Sequence, residues 1–306
     1  MRHRSFLQGI SFFILTSSCS CTSPAHPDTL ETTTRGEINI SVDESFQPVI
    51  EEQIKVFQSQ HPEAHIHAYF KSEADCLRDL EVDSIRMVIV TRGLTDDEQR
   101  SFRDTLAYMP SFGIMAWDAV AVIVNRQSGD SLFTLPELTG LLLGKARLPY
   151  KVVMDGTNAT SAVRFVMDSL LRGRSPGSTV EGAKGSQAVI DYVATHTDAV
   201  GLLGVSWIGN PEDPEQQSFL QKVQLASLEC RGCRAGPFVK PYQANIYTGR
   251  YPLIRPLYYI LKENFDGLGS GFRNFLTLEK GQRIFKRAYL LPSRMSFEVQ
   301  NMDLSD

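Results

Sequence analysis

The sequence predicts an α/β protein of two lobes, each a mostly parallel sheet with flanking helices. The first observation is the alternation of strand-like and helix-like segments between Glu37 and Val90. Parallel strands joined by helices form layered sheets with right-handed crossovers. The second observation is length, because 306 residues are more than one compact core usually holds.

The N-terminal elements follow from residue periodicity. Glu37–Val42 alternates polar and apolar residues, which is typical of a half-buried strand. Apolar residues at helical spacing within Ile50–Phe57 predict a helix, and Pro48 suits its first turn. Ala64–Phe70 is predicted as the second strand. Ile85–Val90 is strongly apolar, which predicts a central, parallel third strand.

The rest of the chain continues this alternation. Buried strands are predicted at Ala119–Asn125 and Ala199–Val205, and Tyr251–Leu261 is a late apolar segment. The predicted helices are one capped by Ser72–Asp75, then Leu135–Leu143, Ala162–Leu171, Gln187–Thr195 and a helical region Phe272–Ala288.

The N-terminus has the pattern of a secretory signal. Two arginines precede Phe6–Leu15, an apolar run too short and too polar for a permanent membrane helix. Small residues then precede Cys19, as in a bacterial lipoprotein box. We expect residues 1–18 to be a signal peptide, Cys19 to carry the lipid, and residues 19–36 to form the anchor and a flexible stalk. The alternative is an ordinary cleaved signal with an incidental cysteine; either way the mature chain works outside the cytoplasm.

Charge and motifs exclude several function classes. The net charge of −4 leaves no basic stripe for a nucleic acid. Gly204–Gly209 misses the GxSxG spacing of hydrolases, and the sequence has neither a P-loop nor an HExxH motif. His65 and His67 would share one strand face, where surface histidines are commoner than zinc ligands. We therefore expect no catalytic residues, no metal and no cofactor.

The cysteines beyond the anchor allow several interpretations. Cys230 and Cys233 form a Cys-Arg-Gly-Cys motif between turn-rich segments. A small disulfide is favoured in an oxidising compartment, whereas half of a zinc site or an idle thiol pair are the alternatives. Cys76 is predicted to pack as a small apolar side chain.

Hydroxyl and amide side chains open three predicted helices, at Ser45-Phe46, at Ser72 and at Thr157–Ser161. Free backbone N–H groups make helix starts favourable for oxyanions, and in an open α/β sheet these starts face one crevice. The alternative is that these residues are only good N-caps.

Arginines lie close to two of these helix starts. Arg92 follows the third strand, and Arg164 lies one turn into the helix that Thr160 opens. Arg86 lies inside the apolar strand, where a charge should find an anion or a carboxylate. Structural salt bridges are the alternative for each of these arginines.

Short motifs in a fixed order then carry a family resemblance, which runs from about Glu37 to Pro292. They are Ser45-Phe46-Gln47-Pro48, Thr91–Thr95 with Glu98, Trp117–Asn125, Ala199-Val200-Gly201, Tyr251–Tyr258 and Gly281–Ile284. With them the chain resembles the phosphate-binding receptors of ABC importers, which belong to the two-lobed periplasmic-binding-protein class. The resemblance implies a ligand held in the cleft between the lobes.

The resemblance also implies ligand positions. Donors at the first helix start match Ser45 and Phe46, and Ser72 matches the serine of the second start. The family's Ser-Gly-Thr triplet is Asn158-Ala159-Thr160 here. Its arginine precedes the triplet, whereas Arg164 follows it. The candidate ligand-binding residues are Ser45, Phe46, Ser72, Thr91, Arg92, Asn158, Thr160, Ser161 and Arg164.

One implied position is changed. The family's aspartate in its Asp-Ile-Ala strand falls on Arg86 in this sequence. A buried carboxylate there would accept the proton of phosphate and repel sulfate. We therefore expect only a modest preference for phosphate over sulfate or arsenate.

The resulting prediction is a monomeric, lipid-anchored solute receptor in the cell envelope that faces the periplasm or the exterior. Residues 37–118 with 259–306 would form lobe one, and residues 119–258 lobe two. Ala119–Asn125 and Tyr251–Tyr258 would be the crossing strands. The cleft would capture an inorganic oxyanion, phosphate above all, and deliver it to an ABC permease in the inner membrane.

Two other function classes stay open. An enzyme acting on phosphorylated compounds would need a nucleophile–base pair or a metal, for which the sequence has no convincing candidate. A non-transport envelope lipoprotein, acting as a sensor or a scaffold, would keep the fold without a working anion cleft.

Overall fold

The computed structural model describes residues 30–106, 108–146, 150–156, 160–234 and 236–294 and gives them a mixed α/β architecture. The predicted signal and Cys19 lie outside the described residues. The strands are β1 (Gly36–Asp43), β2 (Ala64–Lys71), β3 (Ile85–Val90), β4 (Ser111–Asn125), β5 (Leu132–Phe133), β6 (Lys151–Asp155), β7 (Val180–Ala183), β8 (Ala199–Gly204), β9 (Val223–Leu225), β10 (Ser227–Glu229), β11 (Phe238–Val239), β12 (Ile254–Leu261) and β13 (Leu291–Pro292).

The helices lie between these strands and at the C-terminal end. They are α1 (Gln47–Gln60), α2 (Glu73–Arg78), α3 (Asp96–Leu106), α4 (Leu135–Leu142), α5 (Ser161–Val166), α6 (Gly185–Thr195), α7 (Pro214–Leu220), α8 (Gln243–Tyr247), α9 (Leu268–Thr277) and α10 (Glu279–Arg287). A π-helical turn, Met167–Leu171, extends α5. Within the described ranges, no helix is both long and apolar enough to cross a bilayer.

The main sheet has the strand order β2-β1-β3-β12-β4-β8-β6-β7. β1 runs parallel to β2 and β3, and β6 runs parallel to β7 and β8. β12 is antiparallel to both β3 and β4, and β4 is antiparallel to β8. The sheet therefore consists of two parallel halves, which we call the first half (β2, β1, β3) and the second half (β8, β6, β7).

β4 connects the two halves because it changes partners along its length. Residues 111–119 pair with β12, whereas residues 120–124 pair with β8. β4 begins eight residues before the predicted strand Ala119–Asn125, and β12 begins at Ile254 rather than at Tyr251. β6 and α3 were not predicted. In β6, five residues are too few for a clear periodicity.

The core of the first half forms where helices cover the sheet. The predicted apolar stripe of α1 is buried, and the ring of Phe57 packs against Phe272 and Phe275 of α9 at centroid distances of 5.4 and 5.3 Å. β3 is buried from Met87 to Val90, as its apolar composition predicted. This packing fixes the strand ends from which the functional side chains extend.

Arg86, at the amino end of β3, has carboxylate partners. Its Nη1 lies 2.9 Å from Glu31 Oε1 and 3.4 Å from Glu263 Oε1, and its Nη2 donates to the carbonyl of Glu37. The side chain is thus part of an ion-pair network at the end of the strand opposite to the helix starts. Arg86 therefore does not lie where a carboxylate that contacts a ligand at the helix starts would lie.

Candidate functional site

Two buried carboxylates lie at the ends of strands from opposite halves of the sheet. Asp43 ends β1 and Asp155 ends β6, and neither residue is exposed to solvent. Asp43 Oδ1 accepts a hydrogen bond from the backbone N–H of Ser45 at 2.8 Å, and Oδ2 accepts one from the N–H of Ser161 at 3.1 Å. Because Ser161 begins α5, the second bond joins the two halves.

Three hydroxyl groups donate hydrogen bonds to Asp155. Its Oδ2 accepts from Ser45 Oγ at 3.1 Å and from Ser186 Oγ at 2.9 Å, and its Oδ1 accepts from Thr160 Oγ1 at 3.2 Å. Thr160 is also the N-cap of α5, since its oxygen accepts from the N–H of Val163. Two hydrogen bonds, one from Val163 and one to Asp155, therefore hold the side chain of Thr160 in place.

The cation of this region is Arg255 of β12, which is 1% exposed. Its Nε donates to Asp118 Oδ2 at 2.7 Å and its Nη1 donates to Ser161 Oγ at 2.9 Å. Its Nη2 is buried without a hydrogen-bond partner among the described residues. The guanidinium carbon lies 5.1 Å from the centre of the Phe46 ring, a cation–π contact.

We call these residues the polar cluster: Asp43, Ser45, Asp118, Asp155, Thr160, Ser161, Ser186 and Arg255. Gly204, at the end of β8, lies against it, because an added Cβ would come 3.1 Å from Arg255 Nη2 and 3.2 Å from the carbonyl oxygen of Ser45. A side chain at this position would press on the buried guanidinium.

Burial governs the charge of the two central carboxylates. It raises the pKa of Asp155 to about 7, even though the charge of Arg255 and a hydrogen bond from Ser186 lower this pKa. Burial also raises the pKa of Asp43, against the opposing effect of Arg255. The charge of the polar cluster therefore changes between acidic and neutral pH.

A second link across the halves lies beside the polar cluster. Arg164 of α5 forms an ion pair with Glu73 of α2 and donates from Nη2 to Thr91 Oγ1 at 2.8 Å. Glu73 also accepts from the N–H and the hydroxyl of Thr91, at 2.8 and 2.6 Å. Burial alone would raise the pKa of Glu73, but the hydrogen bond and charge of Arg164 outweigh burial and lower it.

A cavity of about 280 Å³ lies beside the chain neighbours of the polar cluster. Its lining includes Glu44, Gly156 and Gly185, which adjoin Asp43, Asp155 and Ser186 in the chain. The other lining residues are Ser72, Asp75, Ala183 and Lys184. We call this cavity the crevice.

Eight of the nine candidate ligand-binding residues lie in the described part of the chain, and the structure places all of them except Arg92 in three locations. Ser45, Thr160 and Ser161 come together in the polar cluster, with the ring of Phe46 beside Arg255. Thr91 and Arg164 form the second link. Ser72 lines the crevice, where its hydroxyl donates to Asp75 Oδ2 at 2.6 Å. Asn158 lies outside the described residues.

Arg92 is not brought into the polar cluster. Its guanidinium makes two hydrogen bonds to Glu98, at 2.7 and 2.8 Å, and a third to the carbonyl of Gly93. Glu98 of α3 thus holds the guanidinium of Arg92 in a structural ion pair. The sequence prediction placed it in the crevice only because it follows a strand end.

Sequence reasoning missed five members of the polar cluster, which are Asp43, Asp118, Asp155, Ser186 and Arg255. Asp43 and Asp155 directly end strands, and a carboxylate at a strand end could have indicated them. Arg255 is a single charge in the apolar segment Tyr251–Leu261, which is the same signal that drew attention to Arg86. Ser186 had no distinguishing sequence context.

Away from the crevice, Cys230 and Cys233 are joined by a disulfide, with their Cα atoms 5.6 Å apart. Cys76 is a buried free thiol. Burial raises the pKa of this thiol well above its ordinary value, which keeps it in the neutral, apolar form.

The comparisons with known proteins identify the family. The model of the PBP superfamily domain matches residues 27–280, and the chain belongs to this superfamily. The phosphate-binding protein PstS of Pseudomonas aeruginosa is 25% identical over 236 residues, which cover 68% of each protein.

Two solved structures are similar to this chain. A Clostridium perfringens protein with bound phosphate, described as a candidate phosphate ABC transporter substrate-binding protein, has a TM-score of 0.69 at 19% identity; the match covers 85% of this chain and 100% of that one. An ABC-type phosphate transport receptor from Vibrio cholerae has a TM-score of 0.62 at 17% identity, covering 83% and 99%. These likenesses confirm the predicted two-lobed α/β fold class.

Proposed function

We propose that this protein is an extracytoplasmic solute receptor that captures an inorganic oxyanion, phosphate above all, and delivers it to an ABC-type permease. Membership of the PBP superfamily supports this proposal, and so do the relatives that are themselves phosphate-binding proteins or phosphate transport receptors. The same relatives favour a receptor over an enzyme.

The observation that carries the proposal is a group of donors directed at two buried carboxylates, Asp43 and Asp155, which Ser45 links by donating to both. The N–H groups of Ser45 and Ser161 and the hydroxyls of Thr160 and Ser186 all donate to buried oxyanions, which here are side-chain carboxylates. Arg255 adds a buried guanidinium with Nη2 unpaired among the described residues. A tetrahedral oxyanion needs this combination of several short donors and a fixed cation.

The lobe assignment is part of the proposal. Residues 37–118 with 259–306 would form one lobe and residues 119–258 the other, with β4 and β12 crossing between them. Closure of such lobes around a ligand should shrink the particle. Small-angle scattering with and without phosphate measures this change, and identical curves at saturation would argue against closure.

The cellular setting is also proposed. Cys19 would carry the lipid after removal of residues 1–18, and residues 19–36 would tether a monomeric receptor to a membrane of the envelope. The permease would lie in the inner membrane, where the receptor docks.

A second function is favoured by one specific observation. Asp43 and Asp155 already accept the hydrogen bonds of the polar cluster, so these donors have partners without a bound anion. An envelope lipoprotein that acts as a sensor or a scaffold could therefore keep this fold without binding an anion. This function predicts that no inorganic oxyanion binds at any pH.

Equilibrium dialysis of the full chain against radiolabelled phosphate at pH 5.5, 7 and 8.5 tests both functions. A receptor retains phosphate in at least one condition, and Thr160→Val weakens retention about tenfold by removing one hydroxyl donor. Thr195→Val is the matched control, because Thr195 is an exposed residue at the far end of α6. No retention in any condition would leave the non-transport function.

A further inference from the structure

We propose that Asp155 is a resident carboxylate that holds the oxyanion position in the ligand-free protein, and that capture of an oxyanion requires the Asp43–Asp155 pair to take up one proton. This inference rests on the proposed function, which it makes more specific. It assigns to Asp155 the control of when the cleft accepts an anion.

The hydrogen bonds around Asp155 are the first argument. The hydroxyls of Ser45, Thr160 and Ser186 donate to its two oxygens at 2.9–3.2 Å. A hydroxyl has one proton to donate, so an incoming anion must take these donors from Asp155 or share the position with it. The bound state and the ligand-free state therefore compete for the same side chains.

The balance of charge is the second argument. Asp43, Asp118 and Asp155 are wholly buried, and Arg255 is the buried cation that faces them. Three carboxylates against one guanidinium leave an excess of two negative charges when all are ionised. Bringing a further anion to a buried site of this charge is opposed by Coulomb repulsion at low dielectric.

The neighbouring elements do not remove this excess. Arg164 of α5 is paired with Glu73, and the crevice is lined by Glu44 and Asp75 together with Lys184, which precedes α6. Because Asp75 is paired with Arg78, Glu44 and Lys184 balance each other, and the excess of two negative charges in the polar cluster remains. A proton taken up from solvent lowers this negative charge.

The chemistry of a protonated carboxyl completes the mechanism. When Asp155 binds a proton, its O–H can donate to an anion oxygen, and the hydroxyls of Thr160 and Ser186 become free to turn toward the anion. Burial raises the pKa of Asp155 to about 7, so this proton is accessible near neutral pH. No bond other than this O–H forms or breaks.

Sulfate is the suitable probe, because it does not change protonation between pH 5.5 and 8.5 as phosphate does. We expect calorimetry of the full chain, in buffers of different ionisation enthalpy at pH 8, to show uptake of about one proton per sulfate. Above pH 7 the sulfate affinity should fall about tenfold per pH unit, the dependence that one coupled proton imposes.

The variant Asp155→Asn keeps the shape and removes the charge. We expect it to bind sulfate at least about tenfold more tightly than the wild type at pH 8 and to take up no proton. Asp97→Asn, an equal change of charge on the exposed face of α3, is the matched control and should behave as the wild type. If Asp155→Asn does not fold, the proton count of the wild type still decides.

The outcomes separate this inference from the proposed function. Binding of phosphate or sulfate by the wild type with no proton uptake and no pH dependence would overturn the inference and keep the receptor. Failure of both the wild type and Asp155→Asn to bind either anion at pH 5.5 would overturn the receptor, and the inference with it.

Discussion

Arg164 and Glu73 form an ion pair between the two halves of the sheet, at a sequence separation of 91. Glu73 is 1% exposed and Thr91 is hydrogen-bonded to both partners. Together with the bond from Ser161 to Asp43, this pair holds the helix start of the second half against the strand ends of the first half. These contacts between the two halves are thus made by the chain's own side chains and backbone.

The first prediction concerns this pair. Arg164→Met leaves the buried carboxylate of Glu73 with Thr91 as its remaining partner. We expect a loss of about 2–3 kcal/mol in the free energy of unfolding, less than for a wholly buried pair because the Arg164 side chain is 33% exposed. Urea denaturation at pH 7 measures the loss.

The pH dependence of this effect follows from the lowered pKa of Glu73. A carboxylate with a lowered pKa stabilises the fold above its ordinary value of 4.5, and this contribution is lost as pH falls through the folded pKa. The cost of Arg164→Met should therefore shrink in acid. Arg100→Met, which breaks an exposed pair with Asp97, should cost less than about 0.5 kcal/mol, and equal costs for both variants would contradict the prediction.

The second prediction concerns the stability effect of Asp155. Its pKa is raised from 3.8 to about 7, so the folded protein holds this proton more tightly than the unfolded chain. The contribution of Asp155 to the free energy of unfolding should then fall as pH rises from about 4 to about 7, and it should stay constant above pH 7. Asp155→Asn should be about 2–4 kcal/mol more stable than the wild type at pH 8 and about equal to it at pH 4. Guanidinium denaturation at the two pH values checks this, and a gain of the same size at both would refute it.

The third prediction concerns the buried pair of Arg255 and Asp118. Both residues are buried, and the Nε–Oδ2 distance is 2.7 Å. Asp118→Ala leaves the buried Nε of Arg255 without its acceptor and should cost about 2–3 kcal/mol, measured by urea denaturation. Glu279→Ala, which breaks an exposed pair with Arg283, is the control and should change stability by less than about 1 kcal/mol.

The fourth prediction concerns the disulfide between Cys230 and Cys233. Its ring is closed over a sequence separation of three, so Cys230→Ser should cost at most about 2 kcal/mol on loop-entropy grounds. Mass spectrometry of the native protein should find this pair oxidised and unreactive to alkylation. Alkylation of both cysteines without a reductant would show that the bridge is not formed in solution.

The fifth prediction concerns lipid attachment. Radiolabelled fatty acid should be incorporated into the full chain during expression in a bacterial host, and Cys19→Ala should abolish the label. Cys21→Ala is the matched control and should retain it. Equal labelling of the Cys19→Ala protein would place the lipid elsewhere, and no labelling of the wild type would indicate an ordinary cleaved signal.

The α/β alternation could be predicted because each element carries its own signal. The apolar stripe of α1 and the apolar run of β3 can be recognised from residues close together in the sequence, and the same residues are the ones that the fold buries. The resemblance to phosphate-binding receptors likewise rests on short contiguous motifs. Where the local signal was weak, as in the five residues of β6, the element was missed.

The alternating elements, the family and the hydroxyl-bearing helix starts could be inferred from the sequence, because their signals lie in neighbouring residues. Which charged side chains pair with each other, in contrast, depends on the folded arrangement. Arg92 pairs with Glu98 in the next helix, whereas the partners of Arg86 and Arg255 are distant in the chain. Arg86 pairs with Glu31 and Glu263, and Arg255 is buried against Asp118 and Ser161. The reason is physical: a buried charge is stabilised by whichever opposite charge the fold brings within hydrogen-bond distance, and that distance has no relation to separation along the chain.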